Sequence, residues 1–204
     1  MVDDAGEPAP RTPPPGAGKP LRAHARRNRD ALLIAARDAF TAGESDIRVE
    51  EIARRAGVGV GTFYRHFATR EAVIEAVYEE RIEDLCHRGA SLLDTVPPQE
   101  AIRAFMEQLV DHAMESRSMA VALKTVMDLG SPVFTQGREA MAETIGQLMA
   151  AAVADGTIRA DITPDTVFRA MGAICASHDQ PGWEKGAREV VHLIHDGLRY
   201  PRSS

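Results

Sequence analysis

Residues 48–67, RVEEIARRAGVGVGTFYRHF, limit the possible fold of this chain more than any other stretch. Apolar residues recur at helical spacing through residues 49–56, which predicts a short helix with one small, buried face. Gly57 follows at the place where a helix commonly ends in a left-handed residue. A second short helix is predicted over residues 60–66. The stretch therefore reads as two short helices joined by a tight turn.

The second of these helices presents polar side chains on its outward faces. Phe63 and Phe67 are four residues apart and close the small core. The remaining side chains are of hydrogen-bonding types: Thr62, Tyr64, Arg65 and His66. A slim end at Gly61 lets such a helix enter a major groove, where arginine donates to guanine and tyrosine or histidine holds phosphates. The pattern predicts a DNA-binding helix-turn-helix and disfavours the alternative, a helical hairpin whose polar face is merely solvated.

The longer segment RVEEIARRAGVGVGTFYRHFATREAVIEAVY resembles the DNA-binding segment of TetR-type transcriptional repressors. The hallmark of that family is a GTFYRHF-like recognition helix followed by a basic residue and a glutamate, here Arg70 and Glu71. The resemblance covers roughly residues 22–80 and implies this DNA-binding set: Arg48, Gly59, Val60, Gly61, Thr62, Tyr64, Arg65, His66 and Arg70. Arg48 replaces a frequent threonine and Gly59 a common serine, so capping and phosphate contacts differ from the usual pattern.

The resemblance and the helical periodicity together predict an all-α protein of about nine helices. Its parts are a disordered Pro- and Gly-rich tail at 1–20, a helix-turn-helix DNA-binding domain at 21–80, and a helical ligand-binding and dimerisation domain at 81–204. The first helix is expected at residues 25–42, and a fourth helix at 70–93 connects the two domains. Further helices are predicted at 99–117, 118–129, 132–154, 164–177 and 183–199.

Charge is divided unevenly along the chain. Residues 19–70 contain 11 Lys and Arg against six Asp and Glu, whereas residues 71–204 contain 12 against 21. A basic N-terminal part followed by an acidic C-terminal part is expected of a DNA-binding module joined to a regulatory domain. A basic arm before the first helix, formed by Arg22, Arg26 and Arg27, is a candidate for phosphate or minor-groove contacts. An arginine-rich helix start without a DNA role explains the same residues.

An unidentified small-molecule effector is expected in the second domain, and no cofactor is predicted. Its candidate pocket residues are apolar or methionine-rich: Phe105, Met106, Leu109, His112, Met114, Met119, Leu123, Met127, Phe134 and Met141. Ordinary helical core explains any one of these residues better than a pocket does, and a satisfied core histidine is the better explanation of His112.

The last two helices carry more apolar surface than one small domain needs to cover. These residues are Val167, Ala170, Met171, Ile174, Cys175, Val190, Val191, Leu193, Ile194 and Leu198. The resemblance implies that this pair of helices packs against its twin as a four-helix bundle. A homodimer also suits a palindromic operator, because two recognition helices one DNA turn apart read its half-sites.

The histidines and cysteines are weaker candidates for a functional site. His192 and His195 are three apart and suggest a metal site with His178 or Asp179, but solvated or interface histidines explain them better, so no metal is predicted. Cys86 and Cys175 are the only cysteines; reduced buried thiols are expected, with a redox switch as the alternative.

Enzyme classes lack support, because the chain has no GxSxG elbow, P-loop or dinucleotide glycine fingerprint. No apolar run reaches the ~20 residues of a membrane helix, and no signal peptide is visible, so a cytoplasmic protein is expected. The sequence therefore predicts a ligand-responsive transcriptional repressor. The remaining alternative is a helical effector-binding or interaction protein without specific DNA binding.

Overall fold

In a computed structural model, the described residues are 18–115, 117–128, 130–176 and 180–199; the description leaves out the side chains of 18–22, 117, 118, 125, 127 and 128. Within this part of the chain the fold is entirely α-helical, as predicted. The helices are α1 (Gly18–Thr41), α2 (Val49–Arg55), α3 (Val60–His66), α4 (Arg70–Ser91), α5 (Pro98–Glu115), α6 (Arg117–Asp128), α7 (Val133–Ala154), α8 (Pro164–Cys175) and α9 (Trp183–Arg199), with a 3-10 turn at Leu92–Asp94.

The bounds of α4 to α9 agree with the predicted ones to within two residues, but the start of α1 does not. We expected α1 to begin at residue 25, whereas it begins at Gly18, inside the segment predicted as a disordered tail. Pro20 lies in the first turn of the helix, where its missing N–H has no intrahelical partner to lose. The rest of the predicted tail, residues 1–17, lies outside the described residues.

The first three helices pack around one small core. Leu32, Phe40, Ile52 and Phe63 are almost completely buried there. Gly57 has φ +69°, the left-handed conformation expected between α2 and α3. The chain therefore reverses sharply and holds α3 across the other two helices.

Helix α4 connects this unit to the rest of the molecule. It begins with a cap, because the Thr69 hydroxyl accepts a hydrogen bond of 3.1 Å from the Ala72 N–H. Val73, Ile74 and Val77 belong to the core of the N-terminal helices. Leu85, further along, belongs to a second core formed with α5, α7, α8 and α9. One continuous helix thus spans both cores.

Helix α6 packs on the N-terminal core. Met119, Ala122, Leu123 and Val126 are buried in the same cluster as the residues of α1 to α4. Contacts between α6 and both α1 and α4 follow from this packing. The N-terminal core therefore includes a helix from residues beyond 81, where we expected the second domain alone.

The second core depends on a close approach of α4 to α5. The ring of Phe105 is fully buried and lies where a Cβ on Gly89 would come within 2.4 Å of it. Only a glycine at this position admits the ring. Among the described residues, no helix is both long enough and apolar enough to cross a membrane.

Candidate nucleic-acid interface and ligand cavity

Helix α3 is anchored by one aromatic side chain and exposes the next. Phe63 is fully buried, and its ring contacts Tyr64 edge-on at a centroid distance of 5.4 Å and Phe67 at 5.8 Å. Tyr64 is 53% exposed, and Arg65 is exposed beside it. The buried ring therefore sets the orientation of α3, and the neighbouring polar side chains point away from the core.

The two glycines at the beginning of α3 are not required by packing within the chain. A Cβ added at Gly59 or at Gly61 would meet no atom within 4 Å. Gly59 is the N-cap of α3 with φ −77° and forms no side-chain cap bond, so a serine there would be accommodated. Both glycines are exposed, and the space they leave is available to a partner that approaches α3 closely, such as a DNA groove.

The rest of the predicted DNA-binding set surrounds this face. Arg48 is the exposed N-cap of α2, while Val60, Thr62 and His66 are half-buried. Neither Arg48 nor Arg65 forms an ion pair within the described part of the chain. By contrast, Arg54 and Arg55 each pair with Glu51 at 2.7 Å, and Arg55 also pairs with Glu44 at 2.8 Å, so two acids balance the two arginines. The hydrogen bonds from Arg54 and Arg55 lower the pKa of Glu51 to about 2. The positive charge at this face therefore comes from Arg48 and Arg65.

Arg70 has an internal role that the sequence did not reveal. Its Nε donates to the carbonyl of Ile47 and its terminal nitrogen to that of Ser45, both at 2.8 Å, and Asp46 lies 3.5 Å away. The side chain is only 20% exposed. Arg70 was predicted to bind a DNA phosphate; its described hydrogen bonds instead join the first turn of α4 to the loop between α1 and α2. The phosphate contact stays a prediction.

The predicted N-terminal arm is helical rather than extended. Arg26 and Arg27 are exposed residues of α1, and Nε of Arg27 donates to the carbonyl of Ala23 one turn earlier. Arg22 also lies in α1, although its side chain is outside the described residues. The expectation of an arm preceding the first helix was therefore wrong, because α1 starts earlier than expected.

A cavity of about 190 Å³ lies between α4, α5, α7 and α8. Three of the predicted pocket residues line it: Leu109, His112 and Met141. The lining residues that we did not predict for the pocket are Tyr78, Ala113, Arg138, Phe168, Met171, Gly172 and Cys175. The four lining residues on α8 are Phe168, Met171, Gly172 and Cys175, and they follow an i, i+3, i+4, i+7 pattern. This spacing marks one face of a helix, so the sequence contained a signal from which these four residues could have been assigned to the cavity.

Other predicted pocket residues do not line this cavity. Phe105 packs against Gly89, Leu123 is buried in the N-terminal core, and Phe134 stacks on Tyr78 at a centroid distance of 5.0 Å. Met106 and Met119 are fully buried core residues, and Met114 is partly buried in the second core. The side chain of Met127 lies outside the described residues.

A larger cleft of about 470 Å³ lies beside this cavity, between α1, α4 and α5. Side chains of both charges line it: Arg37, Thr41, Arg81, Asp84, Arg88, Gln108, Asp111, His112 and Glu115. His112 borders both spaces. Burial, together with the positive charges of Arg81 and Arg88, lowers the pKa of His112 to about 4, so its ring is neutral at physiological pH.

The outer face of α8 and α9 exposes part of the predicted dimer surface. Leu193 is 70% exposed, and Ile174, Val190 and Ile194 are half-buried. Four other residues assigned to this surface are instead buried in the core of their own protomer: Val167, Met171, Val191 and Leu198. The apolar outer face is therefore smaller than the sequence suggested.

The histidine and cysteine hypotheses find no support. His192 is exposed, whereas His195 is buried with its Nε2 3.1 Å from the carbonyl oxygen of Gln99. His178 and Asp179 lie outside the described residues, and no group of three metal-ligating side chains occurs in the described part of the chain. Burial raises the pKa of Cys86 and raises that of Cys175 to about 11, which disfavours the reactive thiolate.

Both halves of the chain match families of transcriptional regulators. The model for bacterial regulatory proteins of the tetR family matches residues 32–77. The model for the C-terminal domain of SbtR-like transcriptional regulators matches residues 97–200. The HTH-type transcriptional repressor KstR2 of Mycolicibacterium smegmatis is 30% identical over 150 residues, which cover 69% of this chain and 72% of that protein.

Solved structures agree with these matches. A TetR transcriptional regulator from Streptomyces coelicolor is 38% identical with a TM-score of 0.68, and the alignment covers 86% of this chain and 99% of that one. A TetR transcription regulatory protein from Mycobacterium vanbaalenii is 35% identical with a TM-score of 0.67, over 89% of this chain and 100% of that one. The likeness therefore extends over both the N-terminal helices and the second core.

Proposed function

The chain belongs to the TetR family of bacterial transcriptional regulators and is a DNA-binding, ligand-responsive repressor, and we propose that it acts as a homodimer on a palindromic operator. In this proposal α3 enters the major groove through Gly61, Thr62 and Arg65. The effector occupies the cavity between α4, α5, α7 and α8.

The observation that carries this proposal is the course of α4. Arg70 at its start is bonded to the loop between α1 and α2, and Tyr78, eight residues later, lines the cavity. At 1.5 Å per residue the two positions are about 12 Å apart along one helix. A ligand that displaces Tyr78 therefore acts on the same rigid element that holds the DNA-binding helices.

Helix α6 supports the same coupling by a second route. Its buried residues Leu123 and Val126 pack with α1 and α4 in the N-terminal core. A movement of α4 within the second domain changes the surface on which these side chains pack. Because packed cores favour discrete arrangements, such a movement shifts the recognition helices as a unit.

The dimer is proposed to form through α8 and α9. Leu193 and the half-buried side chains of Ile174, Val190 and Ile194 supply an apolar patch on this face. We expect a two-fold axis there to place two copies of α3 on one side of the dimer, as a palindrome with half-sites about 34 Å apart requires. A ligand that changes the spacing of α3 then lowers operator affinity.

Operator binding tests the proposal. Fluorescence anisotropy with DNA flanking the native gene is expected to show site-selective binding that weakens steeply with salt. Arg65→Ala is expected to cost about 1–3 kcal/mol and to relax selectivity at one base position. Binding that shows no site selectivity would instead favour a helical effector-binding protein without specific DNA recognition.

A further inference from the structure

The ligand cavity contains a permanent positive charge, and none of its described lining residues is Asp or Glu. Arg138 supplies this charge and forms no ion pair within the described part of the chain. His112 adds none at physiological pH, since burial lowers its pKa to about 4. The cavity therefore attracts an anion and repels a cation. The neighbouring larger cleft has both acidic and basic side chains in its wall, so it favours neither an anionic nor a cationic ligand.

The charge lies at the solvent side of the cavity. Arg138 is an exposed residue, and its guanidinium carbon is 5.1 Å from the centroid of the Phe168 ring, which is buried. This cation–π contact holds the guanidinium at the cavity mouth, and the N–H groups at its edge remain available to donate. A ligand anion is thus expected at the mouth, with the rest of the ligand inside.

A second donor lies close to the first. The Tyr78 hydroxyl makes no hydrogen bond with any described residue. A Cβ on Gly137, the residue directly before Arg138, would lie 2.9 Å from the Tyr78 hydroxyl oxygen, so this hydroxyl lies beside the backbone that carries Arg138. Burial raises the pKa of the phenol, and the positive charge of Arg138 opposes the increase. A planar, two-oxygen anion can accept from a guanidinium and a hydroxyl together.

Size and wall chemistry limit the rest of the ligand. At about 190 Å³ the cavity is smaller than the ~300–1,000 Å³ typical of drug-sized sites. Its inner wall is apolar and includes Leu109, Met141 and Met171. Methionine side chains adapt to irregular apolar shapes and contact aromatic rings favourably. The body of the ligand is therefore small and apolar.

We propose that the effector is a small monocarboxylate with an apolar, ring-sized body, whose carboxylate is bound by Arg138 and Tyr78 at the cavity mouth. This inference rests on the proposed function, because it names the chemical class of the molecule to which the repressor responds.

Calorimetric titration of the full-length protein tests the ligand class. Benzoate and phenylacetate are compared with benzamide and phenylacetamide, which keep the shape but lack the charge. We expect the acids to bind at least about tenfold more tightly than the amides. Equal affinity of acids and amides would overturn the proposal, and so would the absence of acid binding at millimolar concentration.

Two variants locate the carboxylate. Arg138→Gln is expected to weaken acid binding about tenfold or more and to leave amide binding unchanged. Arg169→Gln is the matched control, because Arg169 is an exposed arginine of α8 that pairs with Asp165 and does not line the cavity. Acid binding that is equal in Arg138→Gln and wild type, at an unchanged melting temperature, would overturn the assignment to Arg138.

Operator binding by the same samples separates this inference from the proposed function. If binding of the acid causes the protein to release the operator, the result supports both the monocarboxylate inference and the proposed repressor function. Acid binding without release overturns the effector assignment, although the ligand-free protein still binds its operator. Failure of the ligand-free protein to select any operator counts against the proposed function, whereas the acid-to-amide comparison is read without DNA.

Discussion

At the scale of single residues, Arg70 joins the start of the connector helix to the DNA-binding unit. Its two hydrogen bonds of 2.8 Å reach backbone carbonyls and are largely shielded from water. Arg70→Met keeps an apolar stem and removes both bonds. We expect the free energy of unfolding, measured by urea denaturation, to fall by about 1–3 kcal/mol.

Arg48→Met provides the comparison, since Arg48 is exposed and forms no ion pair among the described residues. Its effect on unfolding is expected to stay within about 0.5 kcal/mol. If Arg70→Met proves as stable as wild type while its DNA affinity falls, the arginine acts on phosphate alone and the bonds to the loop contribute nothing.

His112 makes stability depend on pH. Its pKa is lowered from 6.5 to about 4 in the folded protein, chiefly by burial, so the unfolded chain binds this proton more readily. The stabilisation is complete above about pH 6.5 and is lost as the pH falls toward 4, with an upper limit of about 3 kcal/mol. His112→Gln is expected to flatten this part of the profile, measured by urea denaturation at several pH values. His192→Gln, at an exposed position, is expected to retain the wild-type slope; an unchanged slope in His112→Gln would contradict the assignment.

At the scale of helices, the contact of α4 with α5 depends on Gly89. An alanine Cβ there would lie 2.4 Å from the buried Phe105 ring. Overpacking costs about 1–3 kcal/mol and outweighs the better helix propensity of alanine. Gly89→Ala is therefore expected to lower the melting temperature. Gly146→Ala in α7, whose Cβ would lie 3.8 Å from Pro164, is expected to leave it unchanged or raise it. Equal melting temperatures for the two variants would refute this view of the contact.

Helix positions were predictable where caps and breaks are local. Thr163 before Pro164 is typical of a helix start, and the Thr163 hydroxyl accepts from the Thr166 N–H at 3.3 Å at the beginning of α8. The start of α1 was missed because Pro20 reads as a helix breaker, although it lies in a first turn that tolerates proline. Sequence propensity thus predicts which segments are helical more reliably than it predicts the residues at which each helix begins and ends.

The cavity was less predictable, because periodicity assigns a helix face but not the partner opposite it. Phe105 and Leu109 are one turn apart on α5, yet only Leu109 lines the cavity, since Gly89 admits the Phe105 ring. Arg138 is exposed, and nothing in its sequence context distinguishes it from a solvated arginine. Only the packing of α7 against α8 places it over Phe168. Such long-range neighbours are invisible to local patterns.

At the scale of the whole molecule, the apolar face of α8 and α9 is expected to form the dimer. Leu193→Asp places a charge at a residue that is 70% exposed in the single chain, so folding tolerates it while burial at an interface does not. Sedimentation velocity is expected to show a folded monomer. Val121→Asp makes the same change at a 64% exposed site on α6 and is expected to remain dimeric. A dimer that survives Leu193→Asp would place the interface elsewhere.

We propose that one helix, α4, couples the ligand cavity to the DNA-binding helices. Operator affinity, measured by anisotropy with and without a saturating cavity ligand, tests it most directly. We expect the ligand to weaken operator binding about 10- to 100-fold and, by thermodynamic reciprocity, the operator to weaken ligand binding by the same factor. Operator affinity that is unchanged when the cavity is fully occupied would contradict the coupling.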